Sequence, residues 1–183
     1  MSRTVALPRS APVPTITVTD IYETHSDFVW ASLHRMGVRP ADVPDMAQEV
    51  FLVAFRRASE FEGRSSYKTW LFGIAWNVAR RSFRAPDRRE QPLPEVVVDA
   101  RESQEESAAR AEAVRALYEL LDGLDSEKRG VFVMSELEEM TAPEIAEITG
   151  VPLNTVYSRL RAARIEFDAA LARRRARDQW RQR

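Results

Sequence analysis

The 183-residue sequence contains no cysteine, two histidines and six glycines. The absence of cysteine excludes disulfide bonds, thiolate metal sites and a cysteine nucleophile, and it suits a reducing compartment. The longest apolar runs, at 50–55 and 70–76, are far shorter than the roughly 20 residues that span a bilayer. Three prolines within the first fourteen residues interrupt the apolar stretch that a signal peptide requires. The sequence therefore predicts a soluble, cytoplasmic protein.

Residues that could form a catalytic or metal site are few and are not arranged as one. His25 and His34 lie nine positions apart on one predicted helix, which is not the spacing of a metal-binding pair. The sequence also lacks a glycine-rich loop of the kind that binds phosphate groups. We therefore expect a protein with no cofactor, no bound metal and no enzymatic activity.

The chain carries almost no net charge, yet its charges are sorted along the sequence. The 27 basic and 28 acidic residues give a net charge of −1. The net charge is +5 over 54–84 and +6 over 151–183, but −6 over 85–128 and −4 over 129–150. Basic surfaces bind polyanions because they displace counterions from phosphates. The pattern indicates two polyanion-binding surfaces, with solvated helix faces as the alternative.

No segment shows the alternation of a β-strand, so the predicted fold class is all-α. Residues 1–17 have no sustained periodicity and are expected to form a flexible tail. Helical spacing of apolar residues then predicts a first helix over 20–36, a second after Asp42 with Pro44 in its first turn, and a third over 66–83. Three helices with short connections make a small domain over residues 18–84.

A proline-containing, acidic segment over 85–107 is the best candidate for a flexible linker. A second small domain follows it, over residues 108–172. Its four predicted helices cover 108–122, 126–139, 142–149 and 153–173. The Arg-rich end, 173–183, is expected to contact upstream DNA or to have no fixed structure, rather than to extend the last helix.

The strongest local signal is a helix-turn-helix in this second domain. Thr141 and Glu144 form a capping box with Pro143 between them, which starts a short helix that ends at Gly150. A new helix begins at once, and a short helix, a glycine turn and a second helix are typical of DNA-binding proteins. An ordinary helical hairpin with a solvated basic face is the alternative.

The second helix of this motif divides into two predicted faces. The apolar face comprises Leu153, Val156, Leu160, Ala163 and Phe167, which we expect in the core. The outward face comprises Asn154, Tyr157, Ser158, Arg161 and Ala162, with Arg159 and Arg164 at its flanks. Short polar side chains together with arginine suit base edges and phosphates in a major groove.

The first domain has a different signature. Six of the chain's sixteen aromatic residues lie between 61 and 83, interleaved with basic residues. Unpaired bases stack on aromatic rings while their phosphates meet cations, so single-stranded DNA is a plausible ligand. The alternative is that most of these rings belong to the core, as we expect for Trp70 beside Ile74 and Val78.

These segments together resemble a known family. The runs 45–52 (DMAQEVFL), 61–66 (FEGRSS) and 69–77 (TWLFGIAWN) look like region 2 of bacterial sigma factors. The run 121–124 (LDGL), followed by the helix-turn-helix over 141–164, looks like region 4. A chain with only these two regions and a short linker resembles the extracytoplasmic-function sigma factors.

The resemblance implies roles for matching positions. Residues implied to bind the clamp helices of the largest subunit of core RNA polymerase are Asp45, Gln48 and Glu49. Residues implied to bind the minus-ten promoter element are Phe61, Glu62, Gly63, Arg64, Ser65, Ser66, Asn77, Arg80 and Arg84. Residues implied to bind the minus-thirty-five element are Asn154, Thr155, Tyr157, Ser158, Arg159, Arg161, Ala162 and Arg164, with Arg159 and Arg164 as phosphate contacts.

The sequence also departs from the family at some of these positions. Tyr157 and Ala162 stand where basic residues are common, Arg81 where an acidic residue is common, and Trp76 where arginine is frequent. The promoter sequence is therefore not carried over from the family.

The resemblance implies a sigma factor that directs core polymerase to promoters and helps to melt the minus-ten element. Its implied partners are promoter DNA, core polymerase, including the subunit that contacts region 4, and an anti-sigma factor. The alternative is a stand-alone helix-turn-helix regulator whose N-terminal helical domain senses a ligand or partner.

Overall fold

The computed structural model describes residues 18–83 and 104–181. These residues form helices and short connections and no β-strand, as the sequence predicts. The helices in chain order are α1 (Val18–Arg35), α2 (Val43–Arg57), α3 (Tyr67–Ser82), α4 (Gln104–Asp122), α5 (Ser126–Phe132), α6 (Ala142–Thr149) and α7 (Leu153–Arg181). The predicted tail at 1–17 lies outside the described residues, as does the predicted linker up to residue 103. Residues 104–107, which we assigned to the linker, belong to α4 instead.

Helices α1 to α3 pack on one another and form the first unit, residues 18–83. Helix α1 ends where Gly37 adopts a φ of 91°, a conformation that favours glycine, and donates its N–H to the His34 carbonyl. Helix α3 begins after Ser66, whose hydroxyl accepts the Thr69 N–H at 3.0 Å. The core of the unit is fully buried and includes Val29, Leu33, Val50, Leu71 and Phe72.

Helices α4 to α7 form the second unit, residues 104–181. Its core includes Leu121, Val131, Met134, Ile145 and Val156, all fully buried. Each such side chain contributes roughly 1.5–3 kcal/mol by leaving water. The single helix predicted over 126–139 is α5 followed by a π-helical turn, Val133–Leu137.

The Arg-rich end does not behave as predicted, because α7 continues through it to Arg181. Arg174 pairs with Glu119 on α4 and lies 3.8 Å from Asp178 one turn further along α7. Alanine and arginine are among the strongest helix formers, and they alternate densely over 169–177. The high helix propensity of these residues and the ion pair between Arg174 and Glu119 together extend α7 to Arg181.

The two units pack against each other, so their buried residues form one continuous cluster. We call this packing the inter-unit contact. It joins Arg35, Gly73 and Trp76 of the first unit to Arg129, Gly130, Glu138 and Ile148 of the second. The arrangement places the helix-turn-helix beside α3.

Candidate nucleic-acid interface

The helix-turn-helix forms as predicted. The backbone N–H and the hydroxyl of Thr141 both donate to Glu144 Oε2, at 2.8 and 2.7 Å. These hydrogen bonds lower the pKa of the Glu144 carboxyl, the one from the Thr141 side chain most strongly. Helix α6 ends at Gly150, whose φ is 71° and whose N–H donates to the Ala146 carbonyl at 2.9 Å. A fixed start and a fixed end therefore set the angle at which α7 leaves the turn.

Helix α7 has one face in the core and one in solvent. Val156, Leu160 and Ala163 are buried, and the Phe167 ring stacks on Phe132 with centroids 4.7 Å apart. Leu153, which we expected in the core, is exposed. At 100° per residue Leu153 lies about 50° from the centre of the stripe that the other four form, and it is the first residue of the helix.

The predicted contact residues for the minus-thirty-five element occupy the solvent face. Asn154, Tyr157, Ser158 and Arg161 are all exposed, while Thr155 and Ala162 are half-buried. The Ser158 hydroxyl donates to the Thr155 carbonyl at 3.0 Å. A major groove admits one α-helix, so an exposed helix face of this composition can reach base edges there.

The two arginines expected to contact phosphates have partners within the second unit. Arg159 lies 2.7 Å from Glu127 on α5, and Arg164 lies 2.6 Å from Glu136. The sequence gives no signal for these pairs because each partner lies at least 28 positions away. Either arginine would have to exchange a carboxylate for a phosphate in order to bind DNA.

The loop 61–66 of the first unit presents polar groups beside an aromatic cluster. Phe61 stacks on Tyr67 with ring centroids 4.1 Å apart, and its centroid lies 5.3 Å from that of Trp70. Gly63 has a φ of 70° and open space around its Cα. Glu62, Gly63, Arg64 and Ser66 are exposed, and Phe61 and Ser65 are half-buried.

Two of the predicted contacts lie in the second half of α3, the helix that follows this loop. Asn77 and Arg80 are exposed and one turn apart, and the Asn77 amide donates to the Gly73 carbonyl at 2.9 Å. Arg84, the remaining predicted contact, lies outside the described residues. Trp76, the neighbour of Asn77, is 2% exposed because the second unit covers it.

The outer face of α2 carries the predicted polymerase contacts. Asp45 and Gln48 are exposed, and the Glu49 carboxylate accepts a hydrogen bond of 2.6 Å from Arg81. Leu52 and Phe55, one and two turns further along, are 50% and 58% exposed. Their spacing from Gln48 places these two apolar residues on the same side of the helix as the predicted polymerase contacts.

The two histidines, His25 and His34, both lie half-buried on α1. Burial lowers the pKa of His34, and burial followed by the charge of Lys68 lowers that of His25. In residues 18–83 and 104–181 no three His, Asp or Glu side chains cluster in a way that could hold a metal ion. Over the same ranges no helix has an apolar stretch as long as a bilayer crossing needs.

Comparison with known proteins matches both units. Sigma-70 region 2 matches residues 21–89, and Sigma-70 region 4 matches residues 114–166. The ECF RNA polymerase sigma-E factor of Escherichia coli K12 is 33% identical over 152 residues, which cover 75% of this chain and 78% of that protein. The chain belongs to the extracytoplasmic-function sigma factors. As a sigma factor it directs transcription initiation at promoters, which decides against the stand-alone regulator.

A second relative supports the same family, and two solved structures support the fold. The sigma-E factor of Haemophilus influenzae is 31% identical over 135 residues, which cover 67% of this chain and 71% of that protein. Two solved structures share the fold. The sigma factor RpoE from Bartonella quintana, in complex with the anti-sigma factor NepR, has a TM-score of 0.63, 17% identity and coverage of 84% of this chain and 96% of that one. CnrH, in complex with the cytosolic domain of CnrY, has a TM-score of 0.59, 24% identity and coverage of 85% and 87%.

Proposed function

We propose that this sigma factor binds core RNA polymerase through the outer face of α2 and binds promoter DNA through two separate surfaces, catalysing no reaction itself. The observation that carries the proposal is the division of α7 into a buried apolar face and an exposed face of short polar residues and arginine. A solvated helix face needs no such composition, whereas a face that contacts bases does.

The minus-thirty-five element is assigned to the exposed face of α7. Arg161 is the residue on that face best suited to a guanine edge, because guanidinium donates two hydrogen bonds to O6 and N7. Asn154, Tyr157 and Ser158 flank it and supply further hydrogen-bonding groups. A good bidentate contact contributes about 1–3 kcal/mol of discrimination, which is roughly 5-fold to 160-fold, and we expect about tenfold or more in promoter use from Arg161.

The minus-ten element is assigned to the loop 61–66 together with Asn77 and Arg80. Extrusion of a base costs a few kcal/mol, and a preformed site has to offset that cost. The Phe61 ring is already held by Tyr67 and Trp70, and the polar loop beside it supplies hydrogen-bonding groups for the edge of a base. Arg80 is placed to bind the phosphates that follow.

The partners follow from these surfaces and from the relatives. We assign Asp45, Gln48 and Glu49 to the clamp helices of the largest polymerase subunit and the second unit to a further polymerase subunit. We also assign an anti-sigma factor to this chain, since both solved structures of similar fold are complexes and one contains a protein named as such. Action on polymerase requires a cytoplasmic location.

Reconstituted transcription tests the proposal directly. Purified protein is mixed with core RNA polymerase and a fragment library of the source genome, and transcripts above the background of core alone are sequenced. We expect discrete start sites that share two spaced motifs. Tight duplex binding without polymerase, together with no new start sites, would contradict the proposal.

Substitution of one arginine then tests the recognition face. Arg161→Ala should lower transcription from the cognate promoter by tenfold or more while core binding is unchanged. Arg115→Ala is the matched control, because Arg115 is exposed on α4 and lies outside the predicted contact residues. If both variants retain full promoter use at moderate salt, the assignment of the recognition face is wrong.

A further inference from the structure

The final part of α7 lies beyond the segment of the chain that matches region 4. That match ends at residue 166, whereas α7 continues to Arg181. The helix has 29 residues, which makes it about 43 Å long at 1.5 Å per residue. A major groove is only about 12 Å wide. A helix of this length that places its first turns in the groove therefore continues well past the edge of the groove.

The extension is held to the second unit, which fixes the direction of its side chains. Arg174 pairs with Glu119 on α4, and the Arg174 side chain is only 19% exposed. Phe167 lies seven residues earlier and so on the same side of the helix, where it stacks on Phe132. The side of α7 that faces the rest of the second unit is therefore the same before and within the extension.

Arg175 lies on the side of α7 that carries the recognition face. Fourteen residues separate it from Arg161, so the two directions differ by only about 40° at 100° per residue. Arg175 is exposed. Unlike Arg159, Arg164 and Arg174, it forms no ion pair within the described part of the chain. Its guanidinium can therefore bind a phosphate without first leaving a carboxylate.

The neighbouring arginines of the extension point in other directions. Arg173 and Arg177 are both exposed, but they lie about 120° and 160° away from Arg161 around the helix. A helix that presents Arg161 to base edges therefore turns Arg177 away from the DNA. Arg175 and Arg177 carry the same charge, two residues apart, and differ in the side of the helix on which they lie.

One carboxylate lies between the recognition face and Arg175. Asp168 is exposed and lies about 20° from Arg161 in direction and about 10 Å further along α7. A carboxylate on this side repels phosphates wherever the DNA comes close. Asp168 and Arg175 are thus opposite charges at two distances along one face, and their effects on affinity report how far the DNA follows the helix.

We propose that Arg175 binds a phosphate of the DNA that flanks the minus-thirty-five element. The proposal rests on the proposed assignment of that element to the exposed face of α7, and it narrows the expected DNA contact of the Arg-rich end to one residue. Arg175 lies about 21 Å beyond Arg161 along the helix, which corresponds to about six base pairs at 3.4 Å each. A phosphate contact adds affinity without reading sequence, because every base pair carries the same backbone.

The affinity of the holoenzyme for promoter DNA tests this contact. Core polymerase and the full-length protein are assembled, and the Kd for a labelled promoter fragment, identified by the reconstituted transcription, is measured by fluorescence anisotropy at several salt concentrations. Arg175→Gln should raise the Kd about threefold or more and reduce the slope of log Kd against log salt by about one, with core binding unchanged. Arg177→Gln, the matched control, should change neither value.

Variation of the promoter sequence separates a phosphate contact from a base contact. Arg175→Gln should weaken binding by the same factor on the cognate promoter and on promoters with single base changes in the minus-thirty-five element. Arg161→Gln should instead reduce the difference between the cognate and changed promoters. A loss of discrimination by Arg175→Gln would assign this residue to a base and would contradict the proposal.

DNA with neutral linkages identifies the partner of Arg175 as a phosphate. Methylphosphonates replace the phosphates within about six base pairs of the element, on the upstream flank in one fragment and on the downstream flank in another. On one of these two fragments, wild type and Arg175→Gln should bind equally well, because the contact is already absent. A difference that persists on both fragments would assign Arg175 to a polymerase subunit and would overturn the inference.

Removal of the intervening carboxylate should have the opposite effect. Asp168→Asn should lower the Kd about twofold or more at low salt, because a repulsive charge beside the phosphates is removed. An unchanged Kd would mean that the DNA ends its contact with α7 before this turn, which is incompatible with binding at Arg175.

The outcomes distinguish this inference from the proposed function. If Arg175→Gln and Arg177→Gln have the same Kd and the same salt dependence, the inference is wrong while promoter recognition by α7 stands. If wild-type holoenzyme itself selects no discrete promoters, the proposed function is wrong.

Discussion

Arg81 on α3 donates a hydrogen bond of 2.6 Å to Glu49 on α2. The bond joins the helix assigned to the minus-ten element to the helix assigned to polymerase. Both side chains remain largely exposed, so the pair contributes at most about 1 kcal/mol to stability. On the outer face of α2, which we assign to polymerase, the hydrogen bond neutralises one of two carboxylates, those of Asp45 and Glu49.

If Glu49 contacts polymerase as proposed, replacement of Arg81 should strengthen polymerase binding. In Arg81→Ala the Glu49 carboxylate is released, and a more negative face should attract a basic partner surface more strongly. We expect a twofold to fivefold lower Kd for core polymerase at low salt, with the gain lost at high salt, measured by fluorescence anisotropy. An unchanged Kd at every salt concentration would show that Glu49 makes no contact with polymerase.

Charge reversal on the same face should abolish docking. Asp45→Lys with Glu49→Lys replaces two negative charges by two positive ones, one of them beside Arg81. We expect at least a hundredfold loss of affinity for core polymerase, with a melting temperature lowered by only a few degrees because the lost Glu49–Arg81 pair contributes at most about 1 kcal/mol. The matched control is Glu23→Lys with Asp27→Lys, an equal change in charge at exposed positions of α1. Equal affinities for both double variants would contradict the assignment.

Phe55 should contribute to docking through its exposed ring. Large side chains exposed beside polar contacts are typical of interface anchors. Phe55→Ser should weaken core binding about tenfold or more, while the free energy of unfolding changes by less than about 1 kcal/mol because little burial is lost. Tyr22→Ser, at a similarly exposed aromatic on α1, is the comparison. A Phe55→Ser variant that binds polymerase normally would exclude this residue from the interface.

Local signals predicted the helix boundaries well. A capping residue acts within one turn, so Ser66, Thr141 and Glu144 mark helix starts in the sequence as they do in the structure. Gly37 and Gly150 adopt positive φ at helix ends for the same local reason. Sequence motifs of this kind also carried the resemblance to sigma factors.

Features that depend on distant residues could not be predicted. The family resemblance assigned Arg159 and Arg164 to phosphates, whereas in the structure Glu127 pairs with Arg159 and Glu136 pairs with Arg164. The burial of Trp76 likewise depends on Gly130, fifty-four positions away, in a unit that we expected to be separately tethered. A single sequence contains no signal for packing between units.

The capping box of α6 should make the second unit more stable at neutral pH than in acid. Hydrogen bonds from Thr141 lower the pKa of the Glu144 carboxyl in the folded state. The ionised carboxylate therefore stabilises the fold fully at pH values above the usual glutamate pKa of about 4.3. This stabilisation is lost as the pH falls through the lowered pKa of the folded state. Glu144→Gln keeps the reciprocal hydrogen bond of the capping box but removes the charge at the helix N-terminus, so it should cost about 0.3–1 kcal/mol at pH 7, measured by urea unfolding, and the difference from wild type should shrink below about pH 4.3. Thr141→Ala, which removes the hydroxyl donor, should show the same pH dependence. A cost that is equally large at pH 3 would mean that packing, and not the charged cap, accounts for the loss.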